Sequence, residues 1–238
     1  MVNIEGSTVL VTGGQRGLGK EIVATLLERG AAKVYATART PVEDPDPRVE
    51  VLPLDVTDPD SVLALARAAA DMSIVVNNAG IAGGGPLLDG DFDTARAIFD
   101  TNVFGTLRIV RAFAPILAGH GGGALVNILS VFSWASGGGA YGASKAAFWS
   151  MTNSLRLEMA DAGTQVVGVH VSFMDTEMTA QIPTAKLDPR QVAAATVAGL
   201  QNGDIEILVD EDSRRFKAAV AGPVDGLNIT GSPVSASD

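Results

Sequence analysis

Tyr141 and Lys145 are the first residues whose types and spacing point to chemistry, in the segment Tyr141-x-x-x-Lys145. Residues i and i+4 share one face of a helix, so the phenol and the ammonium would point to the same side. A free phenol has a pKa of about 10, and a nearby cation lowers that pKa. Such a tyrosine can exchange a proton with a carbonyl or alcohol oxygen. The alternative is an ordinary helix start with Lys145 in solvent. The Tyr-x-x-x-Lys spacing by itself favours this ordinary helix start.

Ser130 is a candidate to hydrogen-bond the same oxygen. It directly follows the apolar segment 124–129, which predicts a buried strand, and its hydroxyl can donate a hydrogen bond to a reacting oxygen. Ser133 is a rival for this role, but it lies further from the end of the strand. The sequence therefore favours Ser130.

A glycine-rich stretch, 12–19, connects the apolar segment 9–11 to a pattern typical of an amphipathic helix. Gly13 suits a tight turn, Gly17 a close approach of backbone to phosphate, and Gly19 close packing of helix on strand. The start of such a helix offers unpaired N–H groups to a diphosphate. A plain surface turn is the alternative, because the glycine spacing is looser than G-x-G-x-x-G.

Apolar segments alternate with helical patterns along the chain, which predicts a parallel sheet covered by helices on both faces. The predicted fold is a single α/β domain over 1–238, a doubly wound (Rossmann) sheet of about seven strands. The predicted strands are 8–12, 33–38, 49–54, 73–77, 124–129, 165–171 and 205–209. The predicted helices end near 30 and 70 or span 92–117, 141–162, 189–200 and 213–220, and 222–238 is expected to be a frayed tail.

One region departs from this alternation. Pro41, Pro45 and Pro47 exclude a helix between the second and third strands, so we expect a loop there.

Several candidate residues directly follow predicted strands, and a ligand of a parallel sheet binds beyond the carboxyl ends of its strands. These residues are Gly13 to Gly19, Arg39, Asp55, Asn78, Ser130 and Thr176.

Taken together, these residues resemble the short-chain dehydrogenase/reductase family from Thr8 to about Met178. The motifs that carry the resemblance are Thr12-Gly13-x-x-x-Gly17-x-Gly19, Asp55-Val56, Asn77-Asn78-Ala79-Gly80, Asn102, Ser130 and Tyr141-x-x-x-Lys145. The resemblance implies a nicotinamide cofactor, with Tyr141 as general acid/base and Lys145 lowering its pKa and holding the ribose. It also implies that Ser130 orients the substrate oxygen and that Asn102 supports a water-linked proton path to Lys145.

The resemblance further implies a cofactor site along the carboxyl edge of the sheet, with Asp55 and Val56 at the adenine and Thr176 at the nicotinamide amide. The full set of expected cofactor-binding residues is Gly13, Gln15, Arg16, Gly17, Leu18, Gly19, Arg39, Asp55, Val56, Asn78, Ala79, Gly80, Tyr141, Lys145 and Thr176. Departures from the family are Val171-Ser172 where Pro-Gly is frequent, a shortened loop before Tyr141, and 206–210 in place of the glycine-rich closing strand.

Arg39 indicates which cofactor binds. NAD specificity favours a carboxylate at the end of the second strand, where this chain has Ala38 followed by Arg39. Arg39 and Arg16 suit a 2′-phosphate, so we expect NADPH/NADP⁺. The alternative is that both arginines are solvated surface residues.

The expected substrate walls are apolar and contain no cation that would pair with a carboxylate or phosphate. We therefore expect a neutral, rather apolar ketone or aldehyde, or its secondary alcohol in the reverse direction. An NADP-linked imine reductase and a non-catalytic NADP sensor are the alternatives. The wall residues are Ile81, Phe132, Trp134, Phe173, Met174 and Met178, for each of which core packing is the alternative role.

Composition excludes several other classes of protein. The formal net charge of −10 argues against a nucleic-acid partner, and the absence of cysteine excludes thiolate chemistry. His120 and His170 are expected to be structural, and no metal site is expected. The uncharged region 112–144 is interrupted by Pro115 and glycine runs, so it predicts no membrane span. We expect a cytoplasmic homo-oligomer, a dimer or tetramer, because helices 92–117 and 141–162 carry apolar residues outside one stripe: Phe104, Leu107, Phe113, Phe148, Trp149 and Met151.

Overall fold

The computed structural model describes residues 2–229. Its strands form one sheet in the order β3-β2-β1-β4-β5-β6-β7, and every neighbouring pair is parallel. This is the doubly wound fold that the sequence predicts, with the order reversing between β1 and β4. The strands are β1 Thr8–Val11, β2 Lys33–Ala38, β3 Val49–Pro53, β4 Ile74–Asn77, β5 Gly123–Ile128, β6 Thr164–His170 and β7 Glu206–Leu208.

Helices cover both faces of this sheet, because successive side chains of a strand point to opposite faces. Val9 and Val11 pack in a core cluster with residues of α1 and α6, whereas Leu10 packs in a second cluster with residues of α2, α4 and α5. The helices are α1 Gly17–Glu28, α2 Pro59–Ala68, α3 Phe92–Phe99, α4 Thr106–Gly119, α5 Gly139–Glu158, α6 Pro189–Asn202 and α7 Glu211–Ala219.

The crossover between β2 and β3 contains no helix, as its prolines predict. A short 3-10 turn, Val224–Leu227, lies within the predicted tail, and 230–238 lies outside the described residues. No helix within 2–229 combines the length and hydrophobicity that crossing a membrane requires.

The single helix predicted over 92–117 is wrong in one respect. A π-helical segment, Asp100–Gly105, lies between α3 and α4 and carries Asn102. At Gly105 the backbone approaches Val56 so closely that an added Cβ would lie 2.7 Å from a Val56 methyl group. A π-helical turn inside a helix often marks a functional site, and apolar periodicity does not reveal it.

The apolar surface expected to drive assembly is smaller than the sequence suggests. Phe113 and Phe148 are buried in the core of the subunit, and Phe104 is the clearly exposed member of the predicted set. Leu157 on α5 is also exposed. The homo-oligomer therefore stays a prediction, and less exposed apolar surface supports it than the sequence suggests.

A third core cluster lies beyond the ends of β5 and β6 and includes Trp134 and Phe216. The imidazole of His170 stacks on the Trp134 indole with ring centroids 3.9 Å apart and is completely buried. Its Nδ1 lies 3.3 Å from the Ser130 carbonyl oxygen, and its Nε2 lies 3.7 Å from a Glu206 carboxylate oxygen. Burial disfavours the imidazolium and lowers the pKa of His170 to about 4.

This histidine should make folding stability depend on pH. The folded pKa of about 4 lies below the ordinary 6.5, so the unfolded chain binds the proton more tightly. The contribution of neutral His170 to the free energy of unfolding is fully present above pH 6.5 and is lost as the pH falls toward 4. It amounts to roughly 3 kcal/mol in all. Urea unfolding at a series of pH values should show this slope, and His170→Gln should flatten it.

The matched control is His120→Gln, which changes the other histidine, on the surface beside Met72. It should keep the slope of the unmodified protein. An unchanged slope in His170→Gln would contradict the assignment of this titration to His170.

Candidate active site

The glycine turn joins β1 to α1 and rests directly on β2. Gly13 and Gly17 have φ values of 65° and 51°, a region that favours glycine. The Gly13 N–H donates to the Thr37 hydroxyl (3.2 Å), and the Gly14 N–H donates to the Thr37 carbonyl (3.1 Å). A Cβ on Gly19 would lie 2.2 Å from the Gly13 carbonyl oxygen, so only glycine allows α1 to start this close to the turn.

The N-terminus of α1 fits a diphosphate. No side chain caps it, and its first turn contains no acidic residue. Its N–H groups and helix dipole therefore favour an anion. The glycine turn and this helix start together form the kind of cradle that a dinucleotide requires.

Thr12 and Asn78 connect the glycine turn to the end of β4. The Asn78 side-chain amide donates to the Thr12 carbonyl (2.9 Å) and the Gly13 carbonyl (3.2 Å). The Thr12 hydroxyl accepts from the backbone N–H groups of Asn78 and Ala79, both at 3.0 Å. The predicted cofactor-binding segment Asn78-Ala79-Gly80 therefore lies against the turn, and the Asn78 amide holds the turn in shape.

Asp55 and Val56 lie at the end of β3, as the sequence predicts. The Thr57 hydroxyl and backbone N–H both donate to the Asp55 carboxylate and lower its pKa, with smaller contributions from the cations Arg39 and Arg108. Asp55 is thus ionised at neutral pH, and Val56 is buried beside it. Arg39 is exposed at the same edge of the sheet.

Two residues of the glycine turn have partners within the chain. The exposed guanidinium of Arg16 lies 3.6 Å from the Glu177 carboxylate, in a segment that follows β6. The Gln15 side-chain amide hydrogen-bonds the backbone of Val42 in the β2–β3 crossover. The Gln15 side chain therefore holds a loop, and its contact with the cofactor stays a prediction.

Tyr141 lies in the first turn of α5 and faces Ser130. The Ser130 side chain lies within hydrogen-bonding reach of the phenol and favours its ionised form, whereas burial, the larger influence, raises the pKa of Tyr141. Ser133 points elsewhere, because its hydroxyl donates to the buried backbone carbonyl of Lys145 at 3.2 Å. The structure thus groups Ser130 with Tyr141 and gives Ser133 a structural bond.

Lys145 is buried below Tyr141 on the same face of α5. Its ammonium donates to the Ile128 carbonyl at the end of β5 (2.8 Å) and lies 5.7 Å from the centroid of the Tyr141 ring. Burial lowers the pKa of Lys145 to about 8. Burial raises the pKa of Tyr141 in this structure, and the lowering of that pKa by Lys145 stays a prediction.

Asn102 is buried, and its side chain joins two parts of the site. Its Oδ1 accepts from the Ile81 N–H (2.9 Å), while its Nδ2 donates to the Ile81 carbonyl (2.9 Å) and the Ser144 hydroxyl (3.0 Å). These bonds fix the loop after β4 against α5 one residue before Lys145. The water-linked proton path through Asn102 stays a prediction.

The predicted substrate walls separate into two groups. The Phe132 ring makes edge contacts with the rings of Tyr141 (centroids 6.1 Å apart) and Phe173 (5.8 Å). Ile81 and Met174 are half-buried, and Met178 is exposed.

Trp134 does not belong with these residues. It is buried against His170 and makes an edge contact with Trp149 (centroids 5.8 Å apart). We therefore correct its assignment from substrate wall to core residue.

Thr176 follows β6 and approaches the glycine turn. A Cβ on Gly17 would lie 3.5 Å from the Thr176 methyl group, so the segment after β6 meets the turn across the carboxyl edge. Ser172 occupies the position where a glycine is frequent, and its N–H donates to the Asp210 carboxylate at 2.8 Å. The departure at Val171-Ser172 is accommodated by this bond to the cap of α7.

Sequence reasoning missed Ser144 and Asp210 as supports of the site. Ser144 lies within the Tyr141-x-x-x-Lys145 segment, yet its bond to Asn102 spans two elements that are distant in the chain. Asp210 starts α7 as an N-cap with a reciprocal Ser213 bond, which is a recognisable capping pattern. Its contact with Ser172 has no signal in the sequence.

Comparisons with known proteins agree with this geometry. A family model described as short chain dehydrogenase matches residues 7–187. The 3-oxoacyl-(acyl-carrier-protein) reductase FabG of Vibrio cholerae is 33% identical over 236 residues, covering 88% of this chain and 96% of that protein.

Solved structures are similar over nearly the whole chain. A short chain dehydrogenase from Burkholderia cenocepacia in complex with NADP is 36% identical, with a TM-score of 0.87, covering 92% of this chain and 95% of that one. A short-chain dehydrogenase from Sphingobium yanoikuyae in complex with NADPH is 25% identical, with a TM-score of 0.78 and 98% of each chain covered. The family model covers most of the chain, and the solved structures share its fold, so the chain belongs to the short-chain dehydrogenase/reductase family of oxidoreductases.

Proposed function

We propose that the protein reduces neutral, rather apolar ketones or aldehydes with NADPH and oxidises the corresponding secondary alcohols in the reverse direction. The observation that carries this proposal is the grouping of Ser130, Tyr141 and Lys145 at the sheet edge that also holds the glycine turn. When bound, the nicotinamide supplies the hydride that the carbonyl carbon receives. Every other step belongs to side chains of this chain.

Tyr141 gives its phenolic proton to the carbonyl oxygen. Burial raises the pKa of Tyr141, so the phenol is protonated and ready to act as the acid. Ser130, within reach of the phenol, donates a hydrogen bond to the same oxygen and orients it. The buried ammonium of Lys145 stabilises the phenolate that remains after proton transfer.

The substrate class follows from the rings beside the phenol. Phe132 touches both Tyr141 and Phe173, and such apolar surfaces favour a ligand that gains by leaving water. Ile81, Met174 and Met178, the other expected wall residues, lie on the segments that follow β4 and β6. None of these wall residues carries charge, which favours neutral substrates.

The NADPH preference rests on charge at the end of β2. Ala38 offers no carboxylate to the ribose, and exposed Arg39 provides a cation for a 2′-phosphate. Solved structures of this fold are in complex with NADP, NADPH and NAD, so the proposed preference rests on Ala38 and Arg39. Turnover of NADPH with a ketone separates this proposal from a non-catalytic NADP sensor.

Replacing Tyr141 by phenylalanine removes the proposed acid. Tyr141→Phe should fold and bind NADPH but lose turnover by roughly 10²- to 10⁴-fold, the usual size of a general-acid contribution. Steady-state ketone reduction measures the loss. Tyr35→Phe, which changes the other tyrosine, hydrogen-bonded to Lys33 and Asp71, is the control and should retain activity. Near-normal turnover in Tyr141→Phe would refute the assignment.

The two serines should respond differently to alanine. Ser130→Ala removes the hydroxyl that faces Tyr141 and should lower kcat by roughly 10²-fold, the scale of one lost transition-state hydrogen bond. Ser133→Ala removes a bond to the Lys145 carbonyl, so it should cost about 1 kcal/mol of stability with a milder effect on kcat. A larger kcat loss in Ser133→Ala than in Ser130→Ala would contradict this geometry.

Arg39 tests the cofactor assignment. A charge-assisted hydrogen bond contributes about 1.5–3 kcal/mol, so Arg39→Ala should weaken NADPH binding by roughly ten- to a hundredfold while barely altering NADH binding. Ala38→Asp should reverse the preference by repelling the phosphate and accepting the ribose hydroxyls. Fluorescence titration with both cofactors measures these affinities.

The control is Arg29→Ala, at the opposite end of α1 from the glycine turn, which should leave both affinities unchanged. Equal use of NADH and NADPH by the unmodified protein would show the arginine interpretation wrong. That result would leave the Tyr141 chemistry standing.

A further inference from the structure

The ten-residue crossover 39–48 between β2 and β3 has no helix, so other contacts must hold its shape. Its first anchor is Ala38, whose carbonyl accepts the Leu54 N–H at 2.9 Å. Its last anchor is Arg48, whose guanidinium binds the Asp46 carboxylate (2.7 Å) and the Leu27 carbonyl (3.3 Å). The segment between these anchors contains the exposed Val42.

Gln15 clamps this segment near its middle. The Val42 N–H donates to Gln15 Oε1 at 3.0 Å, and Gln15 Nε2 donates to the Val42 carbonyl at 2.5 Å. Both polar atoms of the amide are therefore used by one backbone position 27 residues away. A paired contact of this kind fixes orientation as well as distance.

The base of the clamp is itself rigid. Gly13 and Gly14 bond to Thr37, and a Cβ on Gly14 would lie 2.9 Å from the Ala36 Cβ, so the glycine turn packs on β2 without slack. The Gln15 backbone is held by this turn. Its side chain therefore fixes Val42 of the crossover relative to the glycine turn.

The consequence falls on Arg39. The chain from Ala38 to Val42 is fixed at both ends, and Pro41 within it has a fixed φ. Arg39 thus lies in a short segment, 38–42, whose conformation is restrained at the carboxyl edge of the sheet. Restraint before binding lowers the entropy that a ligand contact must offset.

We propose that Gln15 is a positioning residue for cofactor selection: its clamp on Val42 holds Arg39 where a 2′-phosphate is met, so the clamp strengthens NADPH binding with little effect on NADH. This inference rests on the proposed NADPH preference. It differs from the direct cofactor contact that the family resemblance implies for Gln15.

The first measurement uses the protein without added cofactor. Hydrogen exchange of the Val42 amide, which donates to Gln15, should accelerate about tenfold or more in Gln15→Ala, because local opening governs exchange. Val42→Pro removes this N–H altogether and therefore serves in the cofactor titrations. Val42→Ala keeps the backbone groups, changes an exposed side chain, and should exchange like the unmodified protein.

The second measurement is fluorescence titration with NADPH and NADH. Gln15→Ala and Val42→Pro should each weaken NADPH binding about three- to tenfold, as expected for the loss of one or two neutral hydrogen bonds, and NADH binding less than about twofold. The double variant should resemble the single ones, since both remove the same contact. In an Arg39→Ala background, Gln15→Ala should cause no further loss of NADPH affinity.

Several results would overturn the inference. Unchanged exchange of the Val42 amide in Gln15→Ala would show that the clamp does not hold the crossover. Equal weakening of NADPH binding and NADH binding in Gln15→Ala would indicate that Gln15 directly contacts the part that the two cofactors share. A fully additive double variant would show that Gln15 and Val42 act separately.

Failure of the proposed function looks different from failure of this inference. Equal affinity of the unmodified protein for NADPH and NADH overturns the cofactor preference and, with it, the selectivity role of Gln15. A preference that is present in the unmodified protein and unchanged in Gln15→Ala overturns the clamp's role alone.

Discussion

The hydrogen bonds between Thr12 and the Asn78-Ala79 backbone connect the ends of β1 and β4, and the rest of the site depends on this connection. The strand order reverses between these two strands, which opens the crevice where doubly wound sheets bind ligands. On one side the Asn78 amide holds the glycine turn at Gly13. On the other side the chain continues to Ile81, which Asn102 fixes against α5. One continuous set of hydrogen bonds thus connects the glycine turn to α5, the helix that contains Tyr141 and Lys145.

Burial sets the protonation of Tyr141 and Lys145, the residues proposed to transfer the proton. It raises the pKa of Tyr141 and lowers that of Lys145 to about 8, so the desolvation of both groups works against the ion pair that a simple Tyr–Lys argument assumes. A phenol that stays protonated is suited to donate its proton during reduction. The Ser130 side chain, within hydrogen-bonding reach of the phenol, opposes the effect of burial on the pKa of Tyr141.

Much of the fold and of the site could be predicted from the sequence, and the successes and failures have physical causes. The sequence of a buried parallel strand is a continuous apolar segment, so the sheet and its carboxyl edge could be predicted. The placement of Ser130, Tyr141 and Lys145 at that edge could be predicted for the same reason. The π-helical segment at Asn102 was not, because helix periodicity does not show a change in hydrogen-bond register. Trp134 was placed in the wrong surroundings because an aromatic side chain after a strand can face either the crevice or the core. The role of Gln15 depends on a backbone contact with Val42, and side-chain identity alone contains no signal for it.

The central claim is that this chain moves a hydride to a neutral carbonyl while Tyr141 supplies the proton. NADPH deuterated at both C4 positions, incubated with the protein and a panel of neutral alkyl and aryl ketones, tests it most directly by mass spectrometry of the products. The account predicts one deuterium on the carbinol carbon for each NADPH oxidised, with the hydroxyl proton coming from solvent. Tight NADPH binding without deuterium in any alcohol product would contradict the claim and would indicate a protein that binds the nucleotide without using it.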